Sequence, residues 1–139
     1  MGESHEHSEL VRLIAAWVRE GYGNRQWGLC LLCDLPEATE KPELISGYRP
    51  DVLARDVPQT ITVLGEAKTG DDVGNSHTEG QLQAYLRYLA VQPEPTLVIA
   101  TRWYARAAAI RTVNRLVDQL ELDRIQRVYL TDGVVTRQP

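Results

Sequence analysis

The sequence predicts an α/β domain: one mixed β-sheet with helices packed against it. Three observations lead there. Strand-length apolar runs alternate with longer stretches whose apolar residues recur at helical spacing. Two consecutive strand-like runs are separated only by Asp56-Val57-Pro58-Gln59, a turn short enough to make them an antiparallel hairpin. The chain has 139 residues, read as one domain over 1–139, enough to bury about two-thirds of its surface without staples.

The elements follow in order. From about His5 to Glu20, Leu10, Leu13, Ile14, Trp17 and Val18 keep helical spacing, and Gly21 is placed to end that helix. Trp27 to Leu32 reads as a first strand. Leu35 to Gly47, with Pro36, Pro42 and three glutamates, reads as a surface loop. Tyr48 to Arg55 and Ile61 to Lys68 are the two strands of the hairpin. Thr69 to Asn75 is a glycine-containing loop, and Ser76-His77-Thr78-Glu79 matches a capping box that opens a helix to about Val91. Leu82, Tyr85, Leu86 and Leu89 form its apolar stripe. Pro93 and Pro95 stop it, Thr96 to Thr101 is a fourth strand, Tyr104 to Leu122 an alanine-rich helix, and Arg127 to Thr131 a final strand. The order is αβββαβαβ.

Composition excludes several classes. With 43% hydrophobic and 24% charged residues this is an ordinary globular chain. Met1 to Ser8 is polar with no apolar core, so no signal peptide is expected. The longest apolar stretches are strand-length, so no membrane span is expected. Two cysteines three residues apart make no disulfide framework, which favours a reducing, cytoplasmic setting. A zinc site at Cys30 and Cys33 is disfavoured, since residues three apart on a strand face opposite ways. The net charge of −4 does not advertise a nucleic-acid binder. Its distribution is uneven, however: residues 1–99 carry 8 basic and 15 acidic side chains, residues 100–139 carry 7 and 4.

The chemistry is concentrated between Gly47 and Tyr85. Along the strand to Lys68, side chains two apart share a face. Glu66 and Lys68 therefore project together with Leu64, while Ile61, Val63 and Ala67 point the other way. A carboxylate and an ammonium at the end of a buried strand are costly unless they pair or bind something. If Asp51 on the neighbouring strand meets them, two acids and a lysine are enough to hold a divalent metal and position a water. Gln81 and Tyr85, four apart on the second helix, share a face.

The set Pro50-Asp51 … Glu66-x-Lys68, with 14 residues between Asp51 and Glu66, resembles the PD-(D/E)XK nuclease superfamily. Gln81-x-x-x-Tyr85 resembles the additional motif of one branch, which includes nuclease domains of recombination exonucleases and the N-terminal nuclease domain of type I restriction motor subunits. The resemblance spans roughly residues 5 to 103. It implies a restriction-endonuclease-like αβββαβ core, here with a C-terminal helix–strand extension. It also implies a Mg²⁺-dependent deoxyribonuclease, with Mn²⁺ able to substitute, that hydrolyses phosphodiesters by in-line attack of metal-activated water.

On that reading Asp51 and Glu66 ligate the metal through oxygen. Lys68 orients the water, helps deprotonate it or stabilises the developing charge. Gln81 hydrogen-bonds a phosphate or a metal-bound water, with Tyr85 packing behind it. The first helix is expected to add an acid: Glu6 by its helical face, or Glu9 by the similarity of Glu9-x-Val11-Arg12 to the type I restriction pattern. Asp71-Asp72 is a further candidate metal contact, but reads better as a solvated loop. Arg102 and Arg106, with Arg111 and Arg115, are candidate phosphate contacts, against the blander expectation of a solvated helix face. The expected partner is DNA, in restriction, recombination, repair or mobile-element defence, within a larger assembly or as a symmetric homodimer. Small relatives such as Holliday-junction resolvases imply the dimer, with the terminal helix Tyr104 to Leu122 as its expected contact, against the alternative that its Ala109, Val113, Leu116, Val117 and Leu120 stripe packs on the protein's own sheet. The rival reading keeps the fold but not the chemistry, leaving a DNA-binding or assembly subunit. A metal-dependent ribonuclease is a third.

Overall fold

The structure is a computed structural model and describes residues 4–24, 28–70, 73–132 and 134–138. Its architecture is α/β: a six-stranded mixed sheet whose strands lie side by side in chain order, with three helices packed on its faces. The helix α1 (His5–Tyr22) covers one face. The strands are β1 (Leu29–Cys33), β2 (Val52–Asp56), β3 (Thr62–Lys68), β4 (Pro95–Thr101), β5 (Gln126–Thr131) and β6 (Val134–Gln138). The helices α2 (Ser76–Ala90) and α3 (Arg106–Leu120) cover the other face, and a 3₁₀ turn, Trp103–Ala105, leads into α3. The strands β1, β2 and β3 form an antiparallel meander, β3, β4 and β5 run parallel, and β6 returns antiparallel to β5. Each parallel step needs a crossover, and α2 and α3 supply the two. Among the described residues no helix is long and apolar enough to cross a membrane.

The alternation along the strands produces two cores. Leu53, Leu64, Leu97, Ile99 and Tyr129 face α2 and α3, whereas Val52, Ala54, Val63, Ala67, Val98, Ala100, Val128 and Leu130 face α1. Gly65 interrupts the α1 side of β3 because the helix comes too close for a side chain. A Cβ there would stand 2.7 Å from Ile14 Cγ2 and 3.0 Å from Val52 Cβ. In α3, Ala109, Val113, Leu116 and Val117 are buried in the α2-side core and Leu120 packs against it. The stripe thus packs against the protein's own sheet and α2, the alternative the sequence left open.

Several boundaries differ from the sequence reading. Gly21 does not end α1; the helix runs to Tyr22, whose ring meets Trp17 edge to face at 6.0 Å, and Gly23 caps it with its N–H on the Arg19 carbonyl. The first strand starts at Leu29, and Trp27 lies outside the described residues. The second starts at Val52 rather than Tyr48. Ser46 and Gly47, both at positive φ, close a two-residue turn between Ile45 and Tyr48, so the chain enters β2 only after Pro50. Asn75, not Ser76, caps α2 by accepting the Thr78 N–H at 2.8 Å, and Glu79 pairs with Arg115 of α3 instead. The sixth strand is absent from the sequence reading altogether.

Candidate functional site

The site sits where β2 begins and β3 ends. The register pairs Val52 with Gly65, so the next step outward sets Asp51 against Glu66. The Asp51 N–H faces Glu66 Oε1 at 3.4 Å, and Asp51 Oδ2 accepts the Ala67 N–H at 2.8 Å. The two residues are thus tied through the backbone of one hairpin. Both carboxylates are buried, Glu66 to 3% exposure.

Glu66, Lys68, Gln81 and Tyr85 close a ring of polar contacts. Lys68 Nζ lies 3.3 Å from Glu66 Oε2 and donates to Gln81 Oε1 at 2.7 Å. Gln81 Nε2 donates to the Tyr85 hydroxyl at 3.1 Å, and that hydroxyl donates onward to Glu66 Oε1 at 3.4 Å. The spacing of Gln81 and Tyr85, one helical turn apart on the buried face of α2, makes the ring possible. Gly80 lets the Tyr48 ring lie against the start of that helix, since a Cβ there would stand 2.9 Å from the Tyr48 hydroxyl.

The electrostatics follow from burial. Glu66 is pushed up to about 8, first by its removal from water and then by the neighbouring Asp51 charge, against the opposing pull of Lys68. The Tyr85 hydroxyl is driven far above its ordinary value, mainly by burial and then by Glu66, and so remains a donor.

The remaining candidates fall elsewhere. Glu6 and Glu9 do not reach the site; they bind Arg102, at 3.1 Å and 3.2 Å, and Asp132 lies 3.5 Å from the same guanidinium. The first-helix residue that arrives is His7, with Nε2 3.2 Å from Asp51 Oδ2. Sequence reasoning missed it by taking Leu10–Trp17 as the axis of the buried face. Trp17 is only half-buried, and the buried line runs Val11–Ile14–Val18, which extrapolates back four, seven and eleven residues to His7. Arg102 is balanced by its three carboxylates, while Arg106 hydrogen-bonds Thr136 of β6, so both have internal partners. Asp71 and Asp72 lie outside the described residues. Cys30 is exposed and Cys33 buried, on opposite faces of β1.

Among the described residues no three His, Cys, Asp or Glu side chains gather closely enough to cage a metal. The donors on hand are the two carboxylates, oxygen ligands of the kind hard cations take. A cavity of about 470 Å³ opens at the opposite end of the strands, between Tyr22, Ile61, Pro95 and Gln126, and includes none of these groups. No protein-family model matches the chain, and comparison with curated proteins and with solved structures likewise found no match.

Proposed function

We propose that the chain is a Mg²⁺-dependent deoxyribonuclease with the restriction-endonuclease-like core of the PD-(D/E)XK superfamily, acting on DNA in restriction, recombination, repair or mobile-element defence. The observation that carries this reading is the meeting of Asp51, Glu66 and Lys68 at one strand end, with Gln81 and Tyr85 closing over them. An ion pair alone needs one acid. A second buried carboxylate beside the first adds repulsion, and an arrangement that raises Glu66 so far makes physical sense when a cation is shared between the two.

Asp51 and Glu66 would hold Mg²⁺, or Mn²⁺ in its place. Two carboxylates without an all-protein cage suit Mg²⁺, which takes few protein oxygens and keeps water and phosphate as its other ligands. When bound, the cation supplies charge neutralisation at the attacked phosphate and acidifies water. The protein's own groups do the positioning. Lys68, steered by Gln81 Oε1 and held beside Glu66, would orient the attacking water or stabilise the negative charge that develops on the phosphate. Tyr85 keeps its proton and fixes the Glu66 carboxylate, and His7 Nε2 fixes Asp51.

The rival reading, a nuclease-like fold retained for DNA binding or assembly, draws on the internal pairing of every acid in the site and on the absence of a third close ligand among the described residues. Cleavage of plasmid and end-labelled oligonucleotides with Mg²⁺ or Mn²⁺, beside EDTA, separates the two. The expected result is metal-dependent cutting that Glu66→Ala lowers by at least about a hundredfold while circular dichroism is unchanged. DNA binding with no cutting by the wild-type protein would favour the rival.

A further inference from the structure

An apolar slot lies just past the ends of β3 and β4, and the proposed chemistry makes no use of it. It has a volume of about 190 Å³ and is lined by Gly70, Val73, Tyr104, Ala105 and Ala108. Gly70 is two residues beyond Lys68, and Tyr104 three beyond Thr101, while Lys68 and Thr101 are direct partners in the β3–β4 ladder. Val73 and Ala105 belong to the same apolar cluster as Leu64 and Tyr85. The slot therefore lies on the α2 and α3 face, just beyond the strand end that carries Lys68.

Its rim is aromatic and exposed. Tyr104 is 55% and Trp103 76% accessible, with their rings edge to face at 5.8 Å. Large aromatic rings normally bury most of their surface. Two of them in succession, left in water beside the slot, contribute little to the core and offer ring surface to whatever enters.

We propose that this slot receives a nucleobase of single-stranded DNA, stacked on Tyr104 with Trp103 offered to the adjoining base, while the neighbouring phosphate lies at Asp51, Glu66 and Lys68. The proposal rests on the nuclease reading and narrows its substrate to a single strand or a frayed end, because the bases of an intact duplex are stacked and paired with one another. Apart from the Tyr104 hydroxyl its lining side chains are apolar, so stacking rather than hydrogen bonding governs recognition, and the preference among bases is weak.

The test uses the full chain in EDTA, so that binding is read without cutting. Fluorescence anisotropy compares a single-stranded oligonucleotide, the same strand carrying tandem abasic sites, and the duplex. Wild-type protein is expected to bind the base-containing strand on the order of tenfold more tightly than the abasic one. Tyr104→Ala is expected to erase that difference and Trp103→Ala to reduce it, whereas Tyr104→Phe retains it; circular dichroism checks that each variant is folded. Equal binding of normal and abasic strands by the wild-type protein, or an unchanged preference in Tyr104→Ala, overturns the slot. Cleavage with Mg²⁺ is scored separately. Glu66-dependent cutting that ignores Tyr104→Ala overturns the slot alone, and no binding with no cutting of any DNA overturns the slot and the nuclease reading together. Base-dependent binding without cutting supports the slot and transfers it to a DNA-binding subunit.

Discussion

The backbone N–H of Asp51 points at Oε1 of Glu66 from 3.4 Å, which holds the two acids of the site within one hairpin. The ladder that places Val52 opposite Gly65 keeps the backbones of the two acids side by side. Their repulsion is built into the fold, and burial amplifies it.

A pH dependence of stability follows. Glu66 is raised from its ordinary 4.5 to about 8, so the folded protein keeps a proton that the unfolded chain has already lost. Its contribution to stability is therefore fully present below about 4.5 and is lost as pH rises through about 8. In metal-free buffer, the difference in urea midpoint between wild type and Glu66→Gln should shift steadily in favour of the variant from about pH 5 to pH 9. A difference that stays constant across that range would show that Glu66 is not held protonated.

Gln81 ties Lys68 to Tyr85, and its loss should be felt in cleavage more than in folding. Gln81→Ala releases the ammonium from its 2.7 Å contact and leaves the Tyr85 hydroxyl its bond to Glu66. Cleavage is expected to fall by roughly tenfold, with a loss of stability of about 1 kcal/mol from the broken hydrogen bonds. Should cutting continue at the wild-type rate, Lys68 needs no such steering.

The first helix provides a sharper discrimination. His7→Ala removes the 3.2 Å contact that α1 makes with Asp51, whereas Glu6→Ala and Glu9→Ala each remove one partner of Arg102. His7→Ala is expected to weaken Mg²⁺-dependent cleavage about tenfold or more, and the two glutamate variants to stay within about twofold. The reverse ranking would mean that an acid of α1 moves to the metal when DNA is bound.

Much of this arrangement was legible in the sequence, for identifiable reasons. Period-two alternation over Ile61 to Lys68 set Glu66 and Lys68 on one face, and a spacing of four set Gln81 and Tyr85 on one side of α2. What stayed hidden depended on tertiary detail. The side of α1 that reaches the site turns on whether Trp17 or Val18 is the more deeply buried, and Trp17 is partly exposed beneath Arg137, 5.7 Å from its ring. The internal pairing of Arg102 joins residues more than ninety positions apart, beyond any local pattern. The sixth strand, by contrast, carries a local signal: Asp132-Gly133 between two strand-like runs, Val128 to Thr131 and Val134 to Thr136, is a hairpin pattern.

Gly65 supplies a prediction that does not depend on any activity. In a strand interior alanine is normally better than glycine, since glycine gives up more freedom on folding. Here the added Cβ would meet Ile14 Cγ2 at 2.7 Å and Val52 Cβ at 3.0 Å. Neither neighbour yields readily, because both belong to β-branched side chains with few alternative rotamers, one in a helix and one in the adjacent strand. Gly65→Ala is therefore expected to destabilise by about 1–3 kcal/mol, lowering the melting temperature by roughly 5 °C or more. If the clash with α1 is the cause, Ile14→Ala should relieve part of it. The double variant would then lose less than the sum of the single losses, a coupling that a thermal melt of the four proteins reads directly. A Gly65→Ala protein as stable as the wild type would show that α1 can lift off β3 freely, and the approach of His7 to Asp51 would lose its structural support.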